Sequence, residues 1–478
     1  MKRAARGPRA VPNPLAWLLA AGALSSGIVH AGAVQTGAVQ AGAGQTDTAF
    51  TDAVYTDAAS TDMAQDTGEP GTKLPPGPIP APPPAPPSTS WWKKWLDPSQ
   101  APFLPVPLIA EDPNSGLTLG LIPVWLTTDE NSQISRIVAP DILYNPNFGF
   151  GAHGRIYEYA SGDEQWSLTG GVKERVEREA DFEYQMGRLR ESRWSLEYSL
   201  IFDRSGSPRF YGIGNNSRTS AETDYTAEHE LAQVQVGLNI NHTWQLQYTA
   251  RFQDLDVLPG TLPDIPSIET RFPTVDGLHT NREMLNRLGL IYDTRDDIVV
   301  PSRGMKWEAY SGAASANGVF SDSLYTEAGI DGRIFWPMAT HYVLAGHTSL
   351  HYLFGSNPLP FWELSNIGGG ESDIGGAQQL RSFGTGRYYD RDAFSASVEL
   401  RHKVYTFNTV TTAVDIEIAP FIDVGRVFSQ TSTSPLDHMH QAYGVGFRGI
   451  ARPFVVGYVD IGVGSDGAAV FTGLNYPF

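Results

Sequence analysis

The residues of this chain whose types could do chemistry are histidines, carboxylates and arginines, because its 478 residues include no cysteine. The absence of cysteine excludes disulfide bonds, thiolate metal ligands and thiol nucleophiles. The sequence contains no G-x-x-x-x-G-K-S/T, G-x-S-x-G or H-E-x-x-H motif, so these phosphate-binding, hydrolase and zinc-protease signatures give no support for an enzyme. We predict no catalytic residue, no cofactor-binding residue and no enzymatic activity, in preference to the alternative of a membrane hydrolase.

Histidines supply the candidates for a metal site. His341, His347 and His351 share the parity of one strand face, and His438 and His440 lie in or beside a loop. Imidazole nitrogens are common metal ligands. Ordinary polar histidines in a wet interior explain the same pattern, and we predict no metal site.

One arginine is notable because of the loop that carries it. Residues 354–391 show no strand or helix periodicity and are rich in glycine, and Arg381 lies there between Leu380 and Ser382. A connection of this length without secondary structure of its own is usually functional or disordered. The loop is therefore a candidate functional element.

The segments around this loop alternate between apolar and polar residues. Residues 394–401 alternate Phe, Ala, Val and Leu with Ser, Ser, Glu and Arg, and residues 244–252 alternate Trp, Leu, Tyr, Ala and Phe with polar residues. A period of two predicts strands with one apolar and one polar face. Long strands joined alternately by tight and extended connections are typical of a transmembrane antiparallel β-barrel, with a wet lumen and lipid outside. The predicted fold class is therefore all-β.

We predict about 16 strands, an even number as expected for a closed bacterial barrel. They lie near residues 115–127, 133–144, 148–160, 164–184, 193–203, 224–241, 243–254, 283–294, 303–313, 321–336, 340–353, 392–406, 413–428, 440–450, 454–465 and 468–478. The tight turns at 145–147, 241–242, 337–340 and 451–452 fall on one side of this barrel. The long connections at 204–223, 255–282, 354–391 and 429–439 fall on the other, so the loop carrying Arg381 is the sixth outer loop.

The charge and hydropathy of the chain restrict its partners. A formal net charge of -18 argues against nucleic acid as a partner. No apolar run of about 18 residues or more follows the N-terminus, so no membrane-spanning helix is predicted. The expected surroundings are the lipids of a bacterial outer membrane.

The first 33 residues have the layout of a secretory signal peptide. Lys2, Arg3, Arg6 and Arg9 precede an apolar run from residue 15 to residue 29. Small residues follow, with Ala31 and Ala33 as candidate cleavage positions. The alternative is an N-terminal anchor helix, but the run is short and broken by glycine and serine. We predict export.

Residues 34–100 form a low-complexity segment. A five-residue period with few large apolar side chains begins at Ala31, and residues 75–87 are rich in proline. Such compositions cannot build a packed core, and a proline-rich run is extended and stiff. We predict a disordered, acidic, periplasmic segment that has a possible periplasmic protein partner. The closing stretch WWKKW at 91–95 suits either a membrane interface or a cap under the folded domain.

The C-terminus continues the strand pattern. Val470, Thr472, Leu474, Tyr476 and Phe478 fall on one face, and the chain ends on an aromatic residue. A terminal Phe478 with Tyr476 at the third-last position, following Gly473, resembles the outer-membrane insertion signal read by the barrel assembly machinery. Phe471 stands where that signal usually has a polar residue. The resemblance implies that the assembly machinery is a partner during insertion of this chain.

Four linked motifs resemble the BamA/TamA outer-membrane assembly superfamily, also called the bacterial surface antigen family. Residues 292–304, YDTRDDIVVPSRG, resemble its DTRD…P-x-R-G turn, and residues 209–215, RFYGIGN, resemble an outer-loop motif. Residues 420–428, PFIDVGRVF, resemble its F-x-D-x-G strand, and residues 443–447 begin its closing pattern. The resemblance covers residues 105–478, which we predict to be the barrel. It implies a role in outer-membrane biogenesis, through protein insertion or translocation or through lipid handling.

The resemblance also assigns roles around Arg381. In the superfamily the sixth outer loop folds into the lumen, and its tip carries a V/I/L-R-G-F/Y motif. The matching residues here are Leu380, Arg381, Ser382 and Phe383, so serine replaces the glycine. The resemblance implies that Arg381 is held by lumen carboxylates, and strand parity offers Glu399 and Asp423, together with Asp415 and Glu417.

One departure from the superfamily leaves the function open. Members that insert or secrete proteins usually carry folded POTRA domains before the barrel, and residues 34–100 fit none. Three hypotheses follow: an assembly factor acting through a weak seam between the first and sixteenth strands, a passive pore restricted by the sixth loop, and a surface or scaffold protein. We prefer the first, because Gly464, Gly467, Gly473 and Pro477 weaken the closing strands.

Overall fold

A computed structural model describes residues 104–478 except 130–133, 280, 317–322, 356–357, 370–377, 409–412, 430–433, 452–454 and 475. The predicted signal peptide (1–33) and low-complexity segment (34–100) lie outside the described residues. The described chain is a closed antiparallel β-barrel of 18 strands, each paired with its neighbours in sequence, and the last strand pairs with the first. The all-β barrel prediction is confirmed.

The strands have the following bounds: β1 Leu104–Asp112, β2 Gly116–Thr128, β3 Ile134–Val138 and Asp141–Asn145, β4 Gly149–Tyr159, β5 Glu164–Lys173, β6 Arg178–Met186, β7 Trp194–Ser205, β8 Thr223–Asn239, β9 Trp244–Pro259, β10 Asn281–Asp293, β11 Gly304–Ala316, β12 Ser323–Ala339, β13 Tyr342–Phe354, β14 Asp392–Asn408, β15 Ala413–Phe428, β16 His440–Ala451, β17 Val455–Gly464 and β18 Gly467–Leu474.

The connections carry little secondary structure. Arg209–Phe210 pairs with the start of β8, and Ser365–Ile367 pairs with Tyr388–Asp390 in a separate ribbon. Two 3₁₀ turns (Thr219–Ala221 and Phe361–Glu363) and one short α-helix (Ile268–Arg271) complete the described elements. Within the described ranges, no helix is long and apolar enough to cross a bilayer.

Alternation of side chains separates the outer surface from the lumen. On β9, Trp244, Leu246 and Tyr248 are exposed on the outside, whereas Gln245 is buried inside. Apolar residues at the other outward positions are also exposed, and polar residues dominate the buried inward positions. This arrangement is the one that a bilayer around the barrel requires.

The predicted count of about 16 strands is too low by two. Residues 164–184 were expected to form one strand, but a hairpin at 174–177 divides them into β5 and β6. The turn contains neither glycine nor proline, and Val176 adopts a φ of 53°, so the usual turn signals are missing from the sequence. The other unpredicted strand is β1, whose Pro105 and Pro107 argue against a central strand.

The added hairpin changes which turns lie at which end. We call the end of the barrel with the long connections (206–222, 260–280, 355–391 and 429–439) the loop end, and the opposite end the turn end. The turn at 145–147 was predicted opposite the long connections, and the structure places it at the loop end. There Asn147 donates to the carbonyl of Ser115, and Arg175 donates to the carbonyl of Asn147.

The loop that carries Arg381 is the connection between β13 and β14, and we call its residues 355–391 the plug loop. Because two strands were missed, the plug loop is the seventh connection at the loop end and not the sixth. It extends into the lumen, where Arg381 is completely buried.

The last strand ends at Leu474, four residues before the predicted end at 478. Tyr476 and Phe478 leave the strand face and lie in the lumen, where Phe478 packs against Phe335 and Ala345. Arg401 Nη2 donates to a main-chain oxygen of Phe478 at 3.1 Å. Pro477 has no N–H to continue the ladder, and the aromatic side chains are better packed inside.

Two adjacent positions in the middle of β5 test the outward and inward faces. Leu168 is 46% exposed on the outside, and Ser167 faces the lumen opposite Glu183. Leu168→Arg is expected to lower the free energy of unfolding from a bilayer by about 2–4 kcal/mol, because it places a charge in lipid. Ser167→Arg is expected to cost much less, because the guanidinium meets water and a carboxylate.

Folding into vesicles, followed by heat-modifiable gel mobility over a denaturant series, gives both values. Equal losses of stability in the two variants would contradict the assignment of faces.

Candidate functional site in the barrel lumen

The centre of the site is the guanidinium group of Arg381, which has no solvent exposure. Its Nε and Nη2 donate to the two oxygens of Asp423 at 2.9 and 2.8 Å. Its Nη1 donates to Glu399 at 3.1 Å and to Asp460 at 2.9 Å. The backbone N–H of Arg381 also donates to Asp423, at 3.0 Å. The two-point contact with Asp423 uses the planar fork that distinguishes arginine from lysine.

The carboxylates come from three different strands. Glu399 is on β14, Asp423 is on β15 and Asp460 is on β17, and each points inward. Ser397 adds a neutral contact, with its hydroxyl 3.0 Å from Nη2 of Arg381. The wet lumen predicted from the sequence does not hold at this point, because the described side chains enclose the group.

Two further arginines balance these three carboxylates. Arg448 on β16 donates to Asp460 at 2.5 Å and to Glu399 at 3.1 Å. Arg401 on β14 donates to Glu399 at 2.6 Å. Three guanidinium groups thus meet three carboxylates, and the buried charges compensate one another, as a low-dielectric interior requires. We call Arg381, Arg401, Arg448, Glu399, Asp423 and Asp460 the charge cluster.

Aromatic rings close the cluster. The Arg381 guanidinium lies 3.6 Å from the ring centroid of Phe421. The Arg401 guanidinium lies 3.7 Å from the centroid of Tyr476 and 5.5 Å from that of Phe478. These ring faces attract cations and exclude water. The C-terminal residues are therefore part of the lumen packing.

The tip of the plug loop forms a turn although Ser382 stands where the resembled motif has glycine. Leu380 has a φ of 47°, which is unusual for a residue with a Cβ, and its carbonyl accepts the N–H groups of Ser382 at 2.6 Å and Phe383 at 3.1 Å. Ser382 is not among the residues with positive φ. The left-handed position is thus Leu380, and serine at 382 is compatible with the turn.

Glycines of β17 allow the tip to approach the barrel wall. A Cβ added at Gly462 would overlap the carbonyl oxygen of Arg381, and one at Gly464 would overlap the hydroxyl of Ser382. A glycine at these positions therefore leaves space for the loop backbone to lie directly on the strand.

Apolar packing holds the two large apolar residues of the loop tip. Leu380 and Phe383 are buried in a cluster with Ile367, Ala393 and Val427, among others. Phe383 also lies with Tyr388 and His440, whose rings stack at a centroid distance of 3.9 Å. Burial of such side chains stabilises the docked loop and does not depend on the ion pairs.

A second contact anchors the plug loop nearer the loop end. Glu363 accepts a hydrogen bond from Tyr325 at 2.7 Å and another from Gln253. Tyr325 also donates to Glu283 at 3.1 Å, and Glu283 pairs with Arg251 at 3.3 Å. Burial, followed by the nearby carboxylate of Glu283, raises the pKa of Glu363 well above its ordinary value.

The other predicted lumen residues lie elsewhere. Asp415 pairs with Lys403 at 2.8 Å, and Glu417 accepts from Tyr476 at 3.3 Å, so neither contacts Arg381. Of the predicted C-terminal signal, Gly473 lies on β18 opposite Tyr458, whereas Tyr476 and Phe478 are buried beside Arg401.

The histidines do not form a shared site. His347 bonds to Asp331 at 2.6 Å and His351 approaches Glu327 at 3.3 Å, whereas His341 is exposed in the turn after β12. His438 and His440 both contact Asn215 at the loop end. In the part of the chain that the structure describes, no group of three or more such ligands could hold a metal ion.

Sequence reasoning missed three members of the charge cluster, namely Arg401, Arg448 and Asp460. All three lie on predicted strands, and the alternation of each strand places them on the inward face. Applying parity to every charged residue of the C-terminal strands would have found them. Strand parity gives the face on which a residue lies. It does not give the distance across the lumen, and the contact with Arg381 depends on that distance.

A protein-family model matches more than half of this chain. The family model of the Omp85 superfamily domain matches residues 163–454. No curated protein sequence matches this chain. Among solved structures, BamA from Haemophilus ducreyi lacking POTRA domains 1–3 is 12% identical, with 73% of each chain covered and a TM-score of 0.45.

Two CdiB structures are similar to the same degree. CdiB from Escherichia coli is 10% identical with a TM-score of 0.47, and 78% of this chain and 66% of that chain are covered. CdiB from Acinetobacter baumannii is 13% identical with a TM-score of 0.44, and the covered shares are 78% and 65%. This chain thus spans slightly less than two-thirds of the length of the CdiB chains.

Removing the Arg381 side chain tests the charge cluster. Arg381→Ala leaves three carboxylates facing only two arginines, and breaking a buried ion pair costs about 3–5 kcal/mol. We expect the barrel to fold and the undocked population of the plug loop to rise on the order of a hundredfold or more. Protease cleavage within residues 355–391 of the folded protein measures this population.

The matched control is Arg391→Ala at the base of the same loop, where the side chain bonds to the carbonyl of Gly355. Its cleavage rate is expected to stay near that of the parent. Combining Arg381→Ala with Asp423→Ala is expected to give less than the sum of the single effects. Strict additivity would show that the two groups do not interact.

The contact of the loop tip with β17 can be tested by adding one methyl group. Gly462→Ala is expected to displace the tip and to increase protease cleavage of the plug loop, because the Cβ overlaps the backbone of Arg381. Gly154→Ala on β4 is the control, since nothing lies within 4 Å of its Cβ position. Cleavage that is unchanged in Gly462→Ala would show that the tip does not lie on this strand.

Proposed function

This chain belongs to the Omp85 superfamily, and on that premise we propose that it inserts or translocates protein clients at the bacterial outer membrane without enzymatic chemistry. The proposed route is the seam where β1 meets β18. The plug loop, held by the charge cluster, closes the lumen while clients pass at the seam. The geometry of the seam is the observation that carries the proposal.

The seam is the weakest ladder of the barrel in the described residues. There β1 and β18 share a single facing pair, Glu111 with Val470. By contrast, β1 pairs with β2 from Leu104 through Asp112, and β17 pairs with β18 from Gly457 through Gly464. Backbone hydrogen bonds hold barrel strands together in a bilayer, where no water can replace them. A short ladder therefore opens at lower cost than any other.

The sequence of β18 favours the same conclusion. The strand has eight residues, and Gly467 and Gly473 lie near its two ends. Glycine in a strand gives up side-chain packing, and Pro477 cannot extend the ladder beyond the strand. The predicted seam partner was the strand at 115–127, but that segment is β2, and β1 takes its place.

The docked position of the plug loop favours the seam over the lumen as the route for clients. Arg381 fastens the loop to β14, β15 and β17, and Glu363 fastens it near the loop end. A passive pore needs an open passage, whereas this part of the lumen is filled by buried side chains. A passive pore would conduct ions, whereas the proposed route at the seam predicts client insertion.

The arrangement of the N-terminal segment follows from the same proposal. β1 begins at the turn end, beside the C-terminus of β18. Short turns face the periplasm in outer-membrane barrels. We accordingly place residues 34–100 in the periplasm, where they are available to a protein partner.

A disulfide across the seam tests the route. The chain contains no cysteine, so the pair Glu111→Cys with Val470→Cys is unique. Facing residues in an antiparallel ladder have Cα atoms about 4.5–5.5 Å apart, within the range for a disulfide. We expect the reduced protein in vesicles to accelerate insertion of an unfolded outer-membrane barrel client, and the oxidised protein to lose most of this acceleration.

The control pair is Val463→Cys with Ala468→Cys, which face each other inside the β17–β18 hairpin. Its oxidation leaves the seam free, so client insertion is expected to continue. Equal client insertion by the oxidised and reduced seam variants would contradict the proposed route. A planar-bilayer conductance that persists in the oxidised seam variant, with no client insertion in the reduced one, would favour a pore.

A further inference from the structure

A polar cavity of about 80 Å³ opens at the turn end of the lumen, on the side away from the charge cluster. It is lined by the connection between β6 and β7, the first residues of β7, β9 and β11, and the last residues of β10. Four cationic side chains reach it: Arg188, Arg190, Arg295 and Lys306. The charge cluster uses none of them.

Two of these cations have their donors satisfied by the protein. Arg295 makes a two-point contact with Asp293 at 3.0 and 2.8 Å, and donates to the carbonyl of Ile298. Arg190 lies 3.5 Å from Asp293 and donates to the carbonyl of Thr243 at 3.3 Å. Asp293 is thus already occupied by two guanidinium groups.

The other two cations have no hydrogen-bond or ion-pair partner among the residues that the structure describes. Both Nη1 and Nη2 of Arg188 are buried with no hydrogen-bond acceptor among the described residues. Lys306 is 7% exposed, and within the described ranges its ammonium has no hydrogen bond and no carboxylate at ion-pair distance. Unpaired buried donors of this kind are rare, and each calls for an explanation.

A third unsatisfied cation faces Lys306. Arg333 on β12 is the direct cross-strand partner of Lys306 on β11, and both point into the lumen. Like charges at directly opposite positions destabilise a sheet. Nη2 of Arg333 also lacks an acceptor in the described part of the chain. An anion between these side chains would remove the repulsion.

The neighbouring carboxylates do not supply that anion. Asp331 lies 3.6 Å from Nε of Arg333 but is bonded to His347 at 2.6 Å, and Glu197 accepts from Gln235 at 3.3 Å. Glu308, beside Lys306 on the same strand face, is not within ion-pair distance of a cation in the described residues. Asp163, which accepts from the backbone N–H of Leu189, is a fifth carboxylate near Arg188, so five carboxylates share this end of the lumen with five cations. The donors of Arg188 nevertheless stay unused in the described residues, and they line the cavity.

We propose that this cavity binds a phosphate-class oxyanion, held by Arg188 and Lys306 with Arg333 behind them. A guanidinium fork matches two oxygens of a phosphate group, and a lysine ammonium supplies a point charge. The amide and hydroxyl groups of Gln247 and Ser195, which also line the cavity, complete a polar surround.

The position of the cavity favours a soluble phosphate or phosphate ester as the source. Its lining residues face the lumen, whereas Trp194 and Trp244 on the same strands face outward. A phospholipid whose chains stay in the bilayer would have to pass the barrel wall to reach Lys306. The cavity instead lies at the turn end of the barrel, where the lumen meets the aqueous phase on one side of the bilayer.

Inorganic phosphate is the probe for the test. The full-length folded protein in detergent is titrated by calorimetry, at constant ionic strength set with chloride. We expect saturable binding of one phosphate per chain, with the affinity reduced at least tenfold in Lys306→Gln and in Arg188→Gln. Arg188 lies in a connection outside the strands, so its variant tests the site even if Lys306→Gln fails to fold.

The matched control is Lys403→Gln on β14, a lysine that already pairs with Asp415. Its phosphate affinity is expected to equal that of the parent. Absence of saturable binding by the parent protein, or a phosphate affinity in the Arg188→Gln and Lys306→Gln variants that equals that of the parent, would overturn the proposal. In vesicles of phosphatidylcholine, added phosphatidic acid is expected to leave phosphate binding unchanged. Competition by this lipid would overturn the assignment to a soluble source.

Discussion

The structure depends on the burial of one positive charge. Arg381 sits in the lumen with no solvent exposure, and an isolated guanidinium group there would carry a large desolvation penalty. Glu399, Asp423 and Asp460 compensate it, and each comes from a different strand. The register of the C-terminal half of the barrel is therefore tied to the position of a single loop residue. A shift of any of these strands by one residue would turn its carboxylate toward lipid.

The docking of Arg381 also explains why two glycines lie close together on β17. Gly462 and Gly464 form a flat strip on β17, and the loop backbone lies on it while the arginine reaches across to β14 and β15. The strand next to β17 is β18, which has the short ladder to β1. The tip of the plug loop thus lies on β17, the strand next to the seam strand β18. The turn between β1 and β2 contacts it through Asn114, which donates to the carbonyl of Thr385.

The two charged regions of the lumen differ in how completely the protein's own groups satisfy their donors. In the charge cluster three arginines meet three carboxylates at hydrogen-bond distances. At the turn end, Lys306 and Arg333 face each other and Arg188 has unused donors. Balanced charges favour a permanent contact, whereas surplus donors around a cavity favour a ligand that comes and goes. The structural role of the first and the binding role proposed for the second follow from this difference.

The sequence by itself determined the all-β barrel, the faces of most strands and the inward position of Glu399 and Asp423. The alternation of apolar and polar residues can be read locally, within each strand. Every strand shows it, because one face of the strand meets lipid and the other meets the polar lumen. Only the tertiary structure decided the count of 18, since the hairpin at 174–177 has no turn residues and β1 contains prolines. It also decided that Asp460 and Arg448 join Arg381, and that Phe478 turns inward. These contacts depend on distances across the lumen, which local periodicity does not encode.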